Sequence, residues 1–304
     1  MRRALAVLSL IVVCTPSLYA WGEEGHRIVC RIAYLELSED DQKEVARLTK
    51  AYHIPAGARM EQIHSFPDAC IFADEARAKA VDAEKAHQTH SPWLHYKPFD
   101  NWHFLNVGRD VTTITEEACA DDCILVAVTK HAAMLKNGAN DQERGEGLYF
   151  LGHWLGDIHQ PLHISYKNDK GGNDIKPITG GFYTNPNLHS VWDGGIIRKE
   201  IAGPGWREFA DELQEKITDE QRTQWGSAGT VAWAQESYDI STGEDTLYCK
   251  KDNEGCENFG HGRKLTASYQ EEFAGKINER LQQAGVRLAA LIHEGLSAGG
   301  PTGR

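Results

Sequence analysis

Two copies of a His-x3-Asp motif are the residues best suited to chemistry in this chain. The first copy is His153 with Asp157, and the second is His189 with Asp193. Positions i and i+4 of an α-helix lie on one face, so each motif aims an imidazole and a carboxylate at the same point. A further histidine, His163, lies ten residues after His153. Imidazole nitrogens and carboxylate oxygens are good zinc ligands, so the pattern predicts a multi-metal site capable of hydrolysis.

The first 20 residues have the pattern of a secretory signal. Two arginines follow Met1, an apolar run extends from Ala4 to Cys14, and small residues precede Trp21. We expect cleavage after Ala20, which makes residues 1–20 a signal peptide and 21–304 a secreted or periplasmic protein. The alternative is a retained membrane anchor, but the apolar run is too short to span a bilayer stably.

Six cysteines remain in the expected mature chain, and an even number in an exported protein suggests disulfide bonds. Cys119 with Cys123, and Cys249 with Cys256, are close enough in sequence to form local loops. Cys30 and Cys70 would then form the long-range pair. Six cysteines allow many connectivities, so these pairs are a preference only.

The formal net charge is −12 for the whole chain, and loss of Arg2 and Arg3 with the signal makes it −14. Such acidity argues against an extended basic groove for nucleic acid. It does not exclude a phosphate substrate, because bound divalent metals would make the site locally positive. No segment after the signal has the length and hydrophobicity of a membrane span, so we expect a soluble mature chain.

Helical periodicity extends through most of the sequence. Ser38 has the pattern of an N-cap, and Asn137-Gly138 and Pro161 are helix-stop signals. The expected fold class is all-α: one mostly helical domain with long loops around the metal site and few or no short strands. The predicted helices are 25–37, 38–50, 123–136, 143–159, 187–199, 204–215, 219–240 and 264–296. The predicted irregular stretches are 52–66, 87–102, 166–185 and 243–262.

Several motifs together resemble the zinc-dependent single-strand nucleases of the S1/P1 family, whose superfamily also contains the zinc phospholipases C. The resemblance covers essentially the whole mature chain. The matching motifs are Trp21-Gly-Glu-Glu-Gly-His26, Phe72-Ala73-Asp74 with Cys70 before it, Trp102-His103-Phe104, Gly152-His153, Gly156-Asp157-Ile158-His159-Gln160-Pro161-Leu162-His163, Gly171-Gly172-Asn173, and His189 with Asp193.

The resemblance implies three zinc ions per chain. One ion would be held by Asp74, His103, His153 and Asp157. A second would be held by the amine and carbonyl oxygen of Trp21, by His26, and by a bridging Asp157. The third would be held by His163, His189 and Asp193. Trp21 can supply its amine only after signal cleavage, so the precursor would be inactive.

The resemblance also implies substrate contacts. Arg77 would touch the scissile phosphate, because a guanidinium fork suits phosphate oxygens; the alternative is a helix-surface salt bridge. Phe104 would stack on a base, with core packing as the alternative. Asn106, Lys170 and Asn173 would complete the base site. Asn106 replaces an Asp of the fungal members, and Lys170 replaces an apolar stacking residue.

Two neighbouring residues are weaker candidates for the metal centre. Asp68 is the rival of Asp74 as a ligand, and the position of Cys70 four residues before Asp74 favours Asp74. His159 lies two residues after Asp157, so helix geometry turns it away from the face of His153. We therefore expect His159 to support or pack near the site.

The expected function is hydrolysis of single-stranded DNA and RNA to 5′-phosphate products, with removal of 3′-phosphates from nucleotides. Arg77, Asp157 and Asp74 would be the catalytic residues. We expect a monomer with no stable protein partner and no membrane association.

A zinc phospholipase C is the alternative enzyme, although that pattern has a longer gap after the terminal Trp and a Glu in place of Asp193. A non-catalytic zinc-binding protein is the third possibility, and it leaves Arg77 without a purpose.

Overall fold

Helices dominate the part of the chain that the computed structural model describes, which comprises residues 21–59, 63, 65–120, 122–179, 187–243, 246 and 263–298. The expected signal peptide and the expected Cys249–Cys256 pair lie outside these residues. The all-α fold class is confirmed. No helix in the described ranges has both the length and the hydrophobicity needed to cross a membrane.

The first part of the chain contains five longer helices and several short elements. In chain order they are α1 (Glu23–Glu36), α2 (Glu39–Ala51), α3 (Phe66–Ala69), α4 (Phe72–Lys85), a 3-10 helix (Pro92–Phe99), β1 (Leu105–Val107), a 3-10 helix (Glu116–Cys119), α5 (Ile124–Asn137) and α6 (Asp141–His159).

The second part begins with short elements and ends with the longest helix. In chain order they are a 3-10 helix (Pro161–His163), β2 (Ile164–Tyr166), β3 (Ile178–Thr179), α7 (Leu188–Ser190), a π-helical turn (Val191–Gly195), α8 (Ile196–Glu200), α9 (Trp206–Glu215), α10 (Asp219–Gly226), α11 (Thr230–Ser241), β4 (Arg263–Lys264) and α12 (Ala267–Ala298).

Helix α6 lies at the centre of the protein. Every residue from Gly145 to His159 is buried, and the helix packs against α1, α2, α5, α11 and α12. The Asn140 side chain caps its start by accepting a hydrogen bond from the Glu143 amide at 3.0 Å. A helix covered on all sides is a core element rather than a surface one, so side chains at its C-terminal end are held in the interior.

Two disulfide bonds tie the site elements together. Cys30–Cys70 joins α1 to the turn between α3 and α4, with an S–S distance of 2.02 Å. Cys119–Cys123 closes a short loop before α5. Both pairs were expected from the sequence and are confirmed. A Cβ at Gly152 would come within 2.4 Å of Cys70 Sγ, so this glycine lets α6 pack directly against the first disulfide.

The strands form two small parallel pairs. β1 pairs with β2, with Leu105 opposite Ile164 and Asn106 opposite Ser165. β3 pairs with β4. The first pair places the segment after His103 beside the segment after His163, although 60 residues separate these two histidines.

Several predicted element boundaries were wrong. Helix α4 was not predicted from the sequence, and the 3-10 helix at Pro92–Phe99 lies in a stretch predicted as irregular. The predicted helix 187–199 contains a π-helical turn between α7 and α8. The predicted helix 219–240 is divided into α10 and α11, because Gly229 takes an extended conformation and begins α11.

Candidate metal centre

Eight histidine and carboxylate side chains from seven segments of the chain meet in the interior. Helices α1 and α4 contribute one each, α6 contributes two, the segment before β1 and the 3-10 helix after α6 contribute one each, and the last two come from α7 and the π-helical turn. They are His26, Asp74, His103, His153, Asp157, His163, His189 and Asp193.

The first group surrounds His153 and Asp74. The Nε2 atom of His153 lies 3.6 Å from Asp74 Oδ1 and 3.2 Å from Asp157 Oδ2. His103 Nδ1 lies 3.6 Å from Asp74 Oδ1 and 3.0 Å from Asp157 Oδ2. Four potential ligand atoms therefore converge on one point, as a single metal ion would require.

The second group shares Asp157 with the first. His26 Nε2 lies 3.4 Å from Asp157 Oδ1, the oxygen that does not face His103. The ring of His26 stacks on that of His153 with centroids 3.8 Å apart. One carboxylate thus faces two groups with its two oxygens, which is the geometry of a bridging ligand.

The third group lies beside the other two. His189 Nε2 is 3.3 Å from Asp193 Oδ2, and His163 Nε2 is 3.6 Å from Asp193 Oδ1. His163 Nδ1 lies 3.7 Å from Asp157 Oδ1. The two predicted His-x3-Asp motifs therefore contribute to adjacent groups within one centre.

Backbone carbonyls fix the orientation of three of these imidazoles. The Nδ1 atoms of His153, His163 and His189 donate to the carbonyl oxygens of Cys70 at 2.7 Å, His103 at 2.6 Å and Gly171 at 2.7 Å. A donating Nδ1 leaves Nε2 unprotonated on a neutral ring, and such a nitrogen can bind a metal. The polypeptide around the centre thus selects the metal-binding tautomer.

Burial disfavours the charged forms of the carboxyl and imidazole side chains in this centre. It raises the pKa of Asp74 to about 7 and that of Asp193 to about 6. It raises the pKa of Asp157 well above its usual value, and it lowers the pKa of His26 and His103 well below theirs. Buried carboxylates beside neutral imidazoles are stabilised as anions by a divalent cation.

Several potential ligand atoms are buried without a hydrogen-bond partner in the protein. They include His26 Nε2, Asp157 Oδ1 and His163 Nε2. Buried polar groups in native proteins are almost always paired, and each unpaired group costs free energy. Three converging groups with such atoms therefore fit bound metal ions rather than a packed polar core.

Trp21 lies fully buried beside the second group. A Cβ at Gly156 would meet both His26 Nδ1 at 2.5 Å and Trp21 Cδ1 at 3.5 Å, so Trp21 and His26 cover the same stretch of α6. The amide of the next residue, Gly22, donates to the Asp193 carbonyl at 2.7 Å. This places the backbone of Trp21 close to the three His/Asp groups.

A cavity of about 780 Å³ opens over the centre. His103, His163 and His189 reach it from the metal-binding groups. The residues expected to contact substrate line the same cavity, and they are Arg77, Phe104, Asn106, Lys170 and Asn173. Arg77 belongs to α4, one helical turn after Asp74, so one helix carries both a potential ligand and a cation at the cavity.

The two weaker candidates for the metal centre, Asp68 and His159, lie outside the three groups. Asp68 accepts a hydrogen bond from Arg27 Nε at 3.0 Å and belongs to none of the three groups. His159 donates from Nδ1 to the Leu155 carbonyl at 2.7 Å, and its Nε2 lies 2.8 Å from Arg287 Nη1. His159 therefore packs against α12, on the face of α6 turned away from His153 and Asp157.

Gln160 is a functional residue that the sequence analysis missed. It is fully buried, and its Nε2 donates to Asp193 Oδ1 while its Oε1 accepts from the Leu162 amide. It therefore orients one carboxylate of the third group. Its position between Asp157 and His163 in the sequence was the available signal, because metal ligands need polar partners that orient them.

The fold and the site define a helical protein with three clustered His/Asp groups able to hold metal beside one cavity. The model of the S1/P1 Nuclease family matches residues 21–297. The chain therefore belongs to the S1/P1 nuclease family, as the resemblance indicated, and it is a hydrolase that acts on phosphodiester bonds of nucleic acids.

Curated relatives agree with this assignment. Endonuclease 2 of Arabidopsis thaliana is 29% identical over 96% of this chain and 98% of its own length. Nuclease S1 of Aspergillus oryzae is 23% identical over 96% of this chain and 97% of its own length. Nuclease P1 of Penicillium citrinum is 33% identical over a shorter region, 27% of this chain and 29% of its own length.

Proposed function

We propose that the protein is an exported, monomeric, zinc-dependent endonuclease that cuts single-stranded DNA and RNA to leave 5′-phosphates. Removal of 3′-phosphates from nucleotides would use the same centre. The supporting observation is that residues of two of the three His/Asp groups, His103, His163 and His189, line one cavity together with the expected base-binding residues. A metal centre adjacent to an aromatic base site can hold a nucleotide by its base and present its phosphate for hydrolysis.

Three zinc ions would be held by the three groups. Asp74, His103, His153 and Asp157 would hold the first. Zinc supplies Lewis-acid stabilisation of phosphate oxygens and lowers the pKa of bound water. Asp157 would bridge to a second ion through the oxygen that faces His26.

The remaining ligands of the second ion would be the amine and carbonyl of Trp21 after cleavage behind Ala20. This assignment is supported by the burial of Trp21 beside His26. His163, His189 and Asp193 would hold the third ion.

Arg77 would bind the phosphate that is cut. Its side chain lines the cavity beside His103, and a guanidinium presents paired N–H donors that match phosphate oxygens. Charge on these oxygens increases in the transition state, so a fixed cation stabilises the transition state more than the substrate.

Phe104 and Asn106 would hold the base. Both line the cavity, and Phe104 precedes the β1 strand that carries Asn106. Ser165 Oγ lies 3.1 Å from Asn106 Oδ1 and 2.8 Å from the Leu162 carbonyl, and its single hydrogen can be donated to either acceptor. Donation to Asn106 would hold the oxygen end of the amide, so that the Nδ2 end would meet a base edge.

Base insertion explains the expected preference for unpaired strands. Taking a base out of a duplex costs a few kcal/mol, whereas a single strand offers the base freely. A chain of net charge −12 cannot recover that cost through broad contacts to the phosphate backbone.

The decisive experiment compares substrates with one zinc-loaded preparation. We expect rapid hydrolysis of a single-stranded oligonucleotide, slow hydrolysis of the same sequence in a duplex, and 5′-phosphate ends on the products. Native mass spectrometry should count close to three zinc ions, and a chelator should abolish activity. Hydrolysis of phosphatidylcholine vesicles without cleavage of DNA would favour the phospholipase, and no hydrolysis at all would favour a zinc-binding protein.

The role of Phe104 has its own test. Phe104→Ala should lose activity on oligonucleotides but not on a phosphodiester without a base, by a difference of about 5- to 150-fold if stacking contributes about 1–3 kcal/mol. Phe104→Tyr keeps the ring and serves as the matched control. Equal losses on both substrates would mean that Phe104 only packs beside His103.

A further inference from the structure

One edge of the Arg77 guanidinium is already held before any substrate binds. Its Nε donates to Asp100 Oδ1 at 2.7 Å. The side chain is about one-third exposed, at 30%, and lines the cavity with His103 and Phe104. Within the described ranges, no other hydrogen bond or ion pair engages this side chain, so its two terminal amino groups remain available.

Asp100 is itself rigidly supported. It follows the 3-10 helix Pro92–Phe99, and its amide donates to the Lys97 carbonyl at 3.3 Å. The rings of Phe99 and Trp102, on either side of it in sequence, stack with centroids 4.5 Å apart. Trp102 Nε1 donates to Asp122 at 2.9 Å. The segment that fixes Asp100 also carries His103 three residues later.

Arg77 lies at the cavity that two of the His/Asp groups reach. His103 of the first group and His189 of the third group line this cavity together with Arg77. A phosphate bound in the cavity would therefore lie near both groups and near a cation.

The contact between Arg77 and Asp100 is explained less well as a salt bridge that only joins two elements of the fold. The same two elements, α4 and the 3-10 helix, are already joined by Lys97 Nζ and Glu84 Oε2 at 2.9 Å. Lys97 also lies 3.4 Å from Asp100 Oδ2. The link between the elements therefore does not require Arg77, and Arg77 is the only one of these cations that lines the cavity among the described residues.

We propose that Asp100 is a positioning residue, which holds Nε of Arg77 so that both terminal amino groups face the phosphate of the substrate. The inference rests on the proposed nuclease function. An arginine side chain has several rotatable bonds, and fixing one edge in advance lowers the entropy lost when the guanidinium engages the phosphate in the transition state. Donors fixed in advance also stabilise transition-state charge without reorganisation.

A double-mutant cycle tests this role. We would measure kcat, KM and zinc content of Asp100→Ala, Arg77→Ala and the combined variant on a single-stranded oligonucleotide. Asp100→Ala should lower kcat by about tenfold or more, because small misplacements of catalytic groups are costly. KM and zinc content should change little. In the Arg77→Ala background, the same Asp100 change should have no further effect on kcat.

Three further variants sharpen the test. Asp100→Asn keeps an oxygen acceptor for Arg77 Nε and should retain most of the activity. Lys97→Met removes the other partner of Asp100 and should leave kcat unchanged. Asp100→Ser, whose side chain is too short to reach Arg77, repeats the test if the alanine variant folds poorly.

Specific results would overturn the proposal. Equal losses of kcat with and without Arg77 would show that Asp100 acts by another route. A loss of zinc together with kcat would show that it only supports the fold. If the wild-type protein does not cut single-stranded DNA, the nuclease proposal fails instead; if it does, and Asp100→Ala is fully active, the positioning role is wrong.

Discussion

Gly156 is the residue of α6 that faces the ring of His26, and one added methyl group there should disable the second metal-binding group. A Cβ at this position would lie 2.5 Å from His26 Nδ1 and 2.9 Å from His26 Cε1. The same ring is stacked on that of His153, also in α6, with centroids 3.8 Å apart. His26 thus lies directly against α6 at two positions, Gly156 and a second potential ligand.

The size of the effect follows from these distances. Non-bonded heavy atoms normally approach to about 3.5 Å, so His26 must shift by about 1 Å or tilt away from Asp157. A misplacement of about 1 Å at a catalytic centre can cost about 100-fold in rate. We therefore expect Gly156→Ala to lose one zinc ion and about 100-fold in kcat/KM.

The control is the same substitution in a helix with open space. Gly275 lies exposed in α12, and a Cβ there meets nothing within 4 Å. Gly275→Ala should keep activity and raise the free energy of unfolding by up to about 1 kcal/mol, because alanine has the higher helix propensity. Zinc counting by native mass spectrometry, kinetics on a single-stranded oligonucleotide and urea denaturation would be measured for both variants.

One result would refute this reasoning. If Gly156→Ala binds as much zinc as the wild type and keeps kcat/KM within about twofold, then His26 can move without consequence. The assignment of His26 as a ligand would then be wrong, because a ligand held at a fixed point cannot tolerate such a shift.

Two further predictions follow from the environment of His131 and Trp21. Burial lowers the pKa of His131 to about 4, so the unfolded chain gains a proton below pH 6.5 before the folded protein does. Its contribution to stability is present above that pH and declines towards pH 4, by about 3 kcal/mol at most. Urea denaturation should show a smaller acid-induced loss for His131→Leu than for the wild type; equal losses would contradict the prediction. Separately, one extra Ala before Trp21 should cost one zinc ion and most of the activity, whereas full activity would exclude the terminal amine as a ligand.

The sequence by itself determined the parts of this protein that depend on local geometry. His153 and Asp157 share a helix face because their spacing matches one turn of α6. The Ser38 cap is present as predicted, with its hydroxyl accepting from the Asp41 amide. The disulfides Cys30–Cys70 and Cys119–Cys123 were also expected. The helix face and the cap depend on residues a few positions apart in sequence. The disulfides were predictable because each cysteine had few other cysteines to pair with.

Helix α4 shows where local patterns were insufficient. Its sequence is rich in alanine and charged residues, and its apolar stripe is weak, so periodicity alone did not reveal it. Its buried face is set by packing against α6 and the 3-10 helix Pro92–Phe99. That packing also aligns Asp74 and Arg77 with residues far away in the chain.

The tertiary structure alone decided how the potential ligands are shared and supported. Asp157 faces His26 and His103 with different oxygens because α1 and the segment before β1 approach α6 from different directions. Gln160 reaches Asp193, and Asp100 reaches Arg77, across 33 and 23 residues of sequence. Such contacts form when the buried faces of whole elements pack against each other. Local hydrogen bonds within one helix or turn do not predict which distant side chain will lie beside a given residue.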